Sequence, residues 1–473
     1  MRSLVSSAAD LFNLLLAAYF VIGNGTYTVL MLFSVVSVWL HRRRRTYEGL
    51  QQLRDSPLTP PVTIIIPAWN EQDVIVDSVR SVLQTDYPEI HICVVDDGSS
   101  DETLARLLTA FAMIPAFRIS RPRLPSRPIR CFYVSPENPG LLVISKERGS
   151  KPDALNAGVN HCRTPYFCTL DADCVLDHDA ILRLMRPVLR SRVPIVASGG
   201  VVRVLNGCTV VGGQVAKVGL PRGALERFQV VEYLRSFFFG RTGWNLAGGT
   251  LIVSGAFAMF HLETAIEAGG FNLDTVTEDM ELVIRLQRWA VDHGRKARIS
   301  FTSDPVCWTQ CPATVAMLAR QRRRWQLGLL QTMRKASGMF FNPSFGVLGF
   351  ISLPFHALVE GIGALVEPMG YLIIPLAACV DPARLRFLLP VVLLSLAYSG
   401  FLSVSAVALE EVTYHRYSSA RELATLLAYA LLENFGYRQL VLWYRLQGVV
   451  RFLTGSRKWE KVVHIAAHSE AAS

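Results

Sequence analysis

Apolar positions are unevenly distributed along the chain. Long apolar runs occupy Leu11 to Leu40 and Phe345 to Leu409, while the middle alternates short apolar segments with polar ones, as in a water-soluble domain. The first run is long enough to cross a bilayer. It lacks a basic start beyond Arg2 and a small-residue cleavage site, which predicts a retained anchor. The later apolar stretch to Cys379 exceeds one span and contains Pro354, Glu360, Glu367 and Pro368, so a kinked span or a broken pair of helices is expected. Phe387 to Leu409 reads as a cleaner transmembrane helix. Ala424 to Thr454 mixes Tyr, Trp and Arg with aliphatics and fits either a span or an interfacial segment. About four membrane segments are expected.

Between the runs, VTIIIPAWNE predicts a buried parallel strand that stops at Pro67, followed by a helix over Asp73 to Gln84 and a second strand, IHICVVDD. SSDE then reads as a capping box, with Ser99 capping and Glu102 reaching back, which opens a helix toward Phe111. The Pro- and Arg-rich stretch Pro115 to Pro139 reads as an insertion with a strand at Arg130 to Val134. A strand near Leu141 to Ile144 leads to a helix with Pro152 in its first turn. PYFCTLDADCVL repeats the pattern of an apolar strand ending in carboxylates. Ser198 to Gly270 is glycine-rich and gives no clear pattern, and TEDMELVIRLQRWA predicts another helix. ATVAMLARQRRRWQLGLL predicts a basic amphipathic helix on a membrane surface. Strands alternating with helices predict a doubly wound α/β domain over 60–330, whose ligands bind beyond the carboxyl ends of the strands. Residues 1–45 form the anchor, 344–455 the C-terminal membrane and interface helices, and 456–473 a short tail.

Composition sharpens this picture. The 473 residues are 51% hydrophobic and 18% charged, which disfavours both a disordered chain and an ordinary soluble enzyme. The net charge of +10 lies beside the apolar runs, in His41 to Arg45, Arg320 and Arg322 to Arg324. That distribution follows the positive-inside rule, places the domain in the cytoplasm and argues against a nucleic-acid partner. Nine cysteines have no paired metal-type spacing, so reduced thiols are expected.

Several acidic groups invite a chemical reading. Asp171 and Asp173, two residues apart after a strand, offer hard oxygen ligands to Mg2+ or Mn2+, although such a pair is more often simply a turn former. Asp279, in the first turn of a helix beside Glu278 and Glu281, either complements the helix dipole or serves as a general base. Gln321, Arg324 and Trp325 share a helix face, where a guanidinium can fork onto phosphate and an indole can support a sugar ring. Anionic lipid is the alternative, and it accounts for Arg322 and Arg323. Lys151 is either a phosphate contact or a solvated lysine.

PAWNE, DDGSSDET, DALNAG, LDADCVL, SGAF, TED and QRRRW, in this order, resemble the inverting family 2 glycosyltransferases that carry the D, D, D, QxxRW signature of membrane polysaccharide synthases. The closing FGYRQ and WYRL are similar to poly-N-acetylglucosamine synthase-like members. The resemblance implies a GT-A-type domain flanked by transmembrane helices in the cell (inner) membrane. It implies inverting, metal-dependent transfer from a UDP-sugar to the growing end of a β-linked polysaccharide, coupled to translocation. Pro67, Ala68, Glu71, Asp96 and Asp97 would hold the nucleotide, with Lys151, Asp171 and Arg324 at the diphosphate. Asp171 and Asp173 would bind Mg2+ or Mn2+, and Asp279 would be the base. Ser254, Gly255, Ala256, Glu278, Gln321 and Trp325 would contact the acceptor, with Phe237 to Gly243 along its path. The implied partners are the UDP-sugar, the polysaccharide, the bilayer and an accessory secretion subunit.

The chain departs from the family in having Trp69 where Tyr is usual, Ser150 for a common Gly, and the Pro/Arg insertion. The sequence soon after Lys461 has no equivalent of the cyclic-dinucleotide-binding domain of bacterial cellulose synthases. A glycolipid synthase making one transfer, and an inactive transport or assembly subunit, are the competing readings.

Overall fold

A computed structural model describes residues 2–45, 49–120, 122–380, 385–417 and 419–455. The chain divides into two units. One draws its described residues from Met1–Val38, Arg227–Gly249 and Ala313–Lys461, the other from Trp39–Glu226 and Thr250–Pro312.

The second unit is built on a mixed sheet. Its strands are β1 (Val62–Ala68), β2 (Ile90–Asp96), β3 (Ile114–Ala116), β4 (Ile129–Val134), β5 (Leu141–Lys146), β6 (Tyr166–Leu170), β7 (Val175–Leu176), β8 (Ile195–Val204), β11 (Phe257–His261) and β12 (Arg298–Thr309). The sheet order is β3-β4-β5-β2-β1-β6-β11-β8-β12-β7, and β9 (Thr209–Val211) and β10 (Gln214–Lys217) form a separate hairpin. The parallel centre, β5-β2-β1-β6, is the doubly wound part expected from the sequence. The glycine-rich stretch that gave no pattern supplies β8 and β11, and the Pro/Arg insertion supplies the antiparallel edge strands β3 and β4.

The central strands are buried on both faces, which explains their unbroken β-branched runs. Ile65, Val95, Ile144, Phe167 and Phe260 form one core with Leu282 and Leu286 of the Glu278–Asp292 helix. The Lys151–Val159 helix lies so close to β1 that a Cβ on Gly158 would meet Ile65 Cγ2 at 2.5 Å. Its position is therefore fixed by backbone contact.

One local expectation needs correction. The helix after β2 begins at Thr103, and Asp101 is the residue that accepts from the Thr103 N–H at 3.0 Å. Ser99 instead accepts from the Asn70 N–H, at 3.0 Å, bracing a residue with φ of 57°, while Glu102 turns outward to Arg106. The serine is taken by the β1 loop, so the capping box does not form.

The first unit is helical. Three segments are long and apolar enough to cross a membrane: Leu16–Leu40, Leu348–Tyr371 and Val392–Tyr414. Leu348 to Val380 is one continuous helical run with wide π-type turns on either side of Leu353–Phe355, so the stretch is not a broken pair of helices. Ala424 to Thr454 resolves into helices Ala420–Leu432 and Tyr437–Leu453, of 13 and 17 residues, the first too short for a bilayer and the second at the lower limit. Ionisable groups here are paired: Glu360 meets Tyr27 and Arg445, and Glu433 meets Arg235 and Arg438. The tail 456–473 lies outside the described residues, as does the Cys379 side chain. The other eight cysteines are unbridged.

Candidate functional site

The carboxyl ends of β1 and β2 carry the first group of predicted residues. Pro67 and Ala68 close β1, and the Ala68 carbonyl accepts from the Asp97 N–H at 2.9 Å. Asp96 accepts from the Ser99 N–H at 3.1 Å and from the Ser145 hydroxyl at 3.3 Å. The Glu71 N–H donates to Thr103 Oγ1 at 2.8 Å, tying the β1 loop to the next helix.

Asp97 has a partner that motif reading missed. Lys146, at the end of β5 and 0% exposed, places Nζ 2.6 Å from Asp97 Oδ1 and 2.5 Å from Asp153 Oδ1. The Gly149 N–H also donates to Asp97 Oδ1, at 2.9 Å. Burial pushes the Asp97 carboxyl above its ordinary range, against the pull of Lys146 and the Gly149 N–H. The only sequence signal for this network is a lysine closing an otherwise apolar strand.

The second group assembles at the end of β6. β11 runs antiparallel to β6 with Phe257 opposite Leu170, so the residues just before β11 land beside those just after β6. The Ala256 carbonyl accepts from the Asp171 N–H at 3.1 Å, and a Cβ on Gly255 would meet Asp279 Oδ2 at 2.9 Å. Lys151 Nζ lies 2.6 Å from Asp171 Oδ1, 3.1 Å from Glu278 Oε1 and 3.5 Å from the Gly255 carbonyl. Asp173 Oδ2 accepts from Thr309 at 3.0 Å. Lys151, Asp171, Asp173, Ser254 to Ala256, Glu278 and Asp279 are thus gathered from four segments of one unit.

The electrostatics are those of crowded acids around one cation. Burial opposes the Lys151 charge, but Asp171 and Glu278 outweigh it and hold the ammonium above the usual lysine range. Burial also raises Asp171; Lys151 pulls it down, and Asp173 and Glu278 push it up again. With Asp171 and Glu278 on the ammonium, Asp279 within its electrostatic reach and Asp173 beside Asp171, the donor set fits a divalent cation held by hard oxygens. Among the described residues no three His, Cys, Asp or Glu side chains form a complete metal cage. Mg2+ or Mn2+ on Asp171 and Asp173 would complete its shell with substrate phosphates and water.

Gln321, Arg324 and Trp325 belong to the first unit, on the Val315–Lys335 helix. Gln321 is buried, and its Oε1 accepts no hydrogen bond from the described residues. Trp325 is 38% exposed and carries the Arg322 guanidinium 4.4 Å over its ring. Arg322 is not a lipid contact: it is buried and forks onto Glu232 at 2.7 and 2.9 Å, while Arg323 donates to Gln447 at 3.0 Å. These internal partners remove the two arginines assigned to anionic lipid. The helix packs closely on Tyr437–Leu453, where a Cβ on Gly448 would meet Gln326 Cβ at 2.7 Å. Phe237, Phe238 and Phe239 are buried, and a Cβ on Gly243 would meet the Leu30 carbonyl at 2.6 Å, so this segment is closely packed within its unit.

Comparison with known proteins places the chain in a family. Residues 63–260 match the model for Glycosyl transferase family 2, and residues 166–410 match that for Glycosyl transferase family group 2. Poly-beta-1,6-N-acetyl-D-glucosamine synthase of Staphylococcus aureus (strain MSSA476) is 26% identical over 267 residues, covering 56% of this chain and 54% of that one. The synthase of the same name from Staphylococcus epidermidis matches with the same identity and coverage. The chain spans about half the length of the curated relatives it matches. A mannosyltransferase from Pyrobaculum calidifontis, solved with GDP-Man and Mn2+, shares the fold: it aligns over 92% of this chain and 99% of its own with a TM-score of 0.51 and 18% identity. With the group model spanning just over half of its residues, the chain belongs to the family 2 glycosyltransferases.

Proposed function

We propose that the protein transfers a sugar from a UDP-sugar to the growing end of a β-linked polysaccharide, with inversion, and passes the product across the membrane. The observation that carries this reading is the meeting of Lys151, Asp171, Glu278 and Asp279 at the carboxyl end of β6. Asp96 and Asp97 take the nucleoside, with Pro67, Ala68 and Glu71. Asp171 and Asp173 hold Mg2+ or Mn2+, which when bound neutralises charge on the departing diphosphate.

Asp279 takes the proton from an acceptor hydroxyl. The freed oxygen bonds to the anomeric carbon as the bond to the diphosphate breaks, and the electron pair leaves with UDP. Ser254, Gly255, Ala256 and Glu278 position the acceptor. Lys151 and Arg324 contact the diphosphate, and Gln321 and Trp325 the acceptor, as the family resemblance implies; the unmet Oε1 of Gln321 suits a sugar hydroxyl. The basic flanks of the apolar runs support a cytoplasmic catalytic unit over 60–330.

Purified full-length protein given labelled UDP-N-acetylglucosamine, the activated form of the sugar named in the Staphylococcus relatives, tests this. A ladder or high polymer is expected. A single lipid-mobile product would replace the polymer reading with a glycolipid synthase, and no turnover across a panel of UDP-sugars would remove the activity. Asp279→Asn should lose about 10²- to 10⁴-fold in transfer while binding UDP normally. Normal turnover in that variant would refute the base assignment.

A further inference from the structure

We infer that Lys151 is a tethered competitor for the cation site, so that divalent metal and nucleoside diphosphate bind as a coupled pair. This rests on the reading of Asp171 as a cation ligand. Lys151 is the first residue of a helix otherwise almost wholly buried against the sheet, so its Cα is fixed and only the flexible stem can move. Its ammonium has three protons and faces three acceptors: Asp171 Oδ1 at 2.6 Å, Glu278 Oε1 at 3.1 Å and the Gly255 carbonyl at 3.5 Å. The closest contact falls on the carboxylate that would hold the metal ion. A divalent cation and an ammonium drawn to one carboxylate repel each other strongly.

A diphosphate changes the balance. Its oxygens give the ammonium a new partner within reach of the lysine stem, and Asp171 is released to the metal. Each ligand therefore raises the affinity of the other by the same factor, as linkage requires. In the absence of donor, the lysine keeps the acidic cluster neutralised and the metal loosely held.

The test is Mn2+ titration of the full-length detergent-solubilised protein, read from the electron paramagnetic resonance signal of free Mn2+, with and without UDP. In Lys151→Met, Mn2+ should bind about tenfold more tightly without UDP, and the enhancement by UDP should shrink correspondingly. Lys151→Gln should behave like Lys151→Met, while Lys151→Arg, which keeps the charge, should follow the wild type. Unchanged or weaker Mn2+ binding in folded Lys151→Met and Lys151→Gln without UDP would overturn the inference. Asp171→Asn separates the two levels of the argument. If it retains wild-type Mn2+ affinity with UDP present, the cation-site reading itself falls. If it loses that affinity while the neutral Lys151 variants stay unchanged, only the competitor role falls.

Discussion

Gly255→Ala isolates the position of the base from its chemistry. Gly255 is not among the residues with positive φ, so alanine is allowed by the backbone. The added methyl would lie 2.9 Å from Asp279 Oδ2 and 3.0 Å from its Cγ, where ordinary contact begins at 3.4 Å. The carboxylate must retreat by about 0.5 Å or rotate away. A misplacement of roughly 1 Å costs on the order of 10²-fold in rate, so half that distance should cost about tenfold. The expected outcome is a tenfold lower kcat with an unchanged Kd for UDP, measured by product release under saturating donor and by calorimetry. The double variant with Asp279→Asn should lose less than the sum of the two single losses, because the methyl meets that carboxylate directly. Full activity in Gly255→Ala, or an additive loss in the double variant, would refute the reasoning.

Lys146→Met should destabilise the protein by roughly 3–5 kcal/mol, because it leaves the buried carboxylates of Asp97 and Asp153 without their ammonium. Denaturant unfolding of the full chain measures this, and a loss below about 1 kcal/mol would contradict the network. Burial holds His161 and His261 below the ordinary histidine value, so both favour the neutral form when folded. The unfolded chain takes up these protons from about pH 6.5 downward while the folded chain resists, so their contribution to stability is lost on acidification through that window. The thermal midpoint should fall less steeply below pH 6.5 in His161→Gln/His261→Asn than in the wild type; an equal or steeper fall would refute the assignment.

The parts of the fold legible in the sequence are those set by local pattern. β1 and β2 announce themselves as β-branched runs closing at Pro67–Ala68 and Asp96, β6 as an apolar run just before Asp171, and Pro152 and the acids after Thr277 mark two helix starts. Pairing across the chain was not legible. Nothing near Phe257 says that it lies opposite Leu170, yet that register brings Gly255 to Asp279 and Ala256 to Asp171. Competition also hid from view: Ser99 has the right spacing for a cap but is claimed by Asn70, and Arg322 looks lipid-facing until Glu232 is folded against it. Lys146 was missed for the same reason, since its two carboxylate partners are distant in sequence or in the next helix.

The short strand β7 has a consequence for how the protein is made. It follows the aspartate turn immediately, but it pairs only with β12, where Leu176 lies opposite Cys307 and Val175 opposite Trp308. Thr309 then holds Asp173, and Trp308 donates to Asp177 at 2.7 Å. A nascent chain must therefore grow by about 130 residues, or roughly 7–26 s at ribosomal speed, before this turn can be locked. During that interval the emerging strand has exposed edges, so chaperone protection during translation should govern how much active protein reaches the membrane.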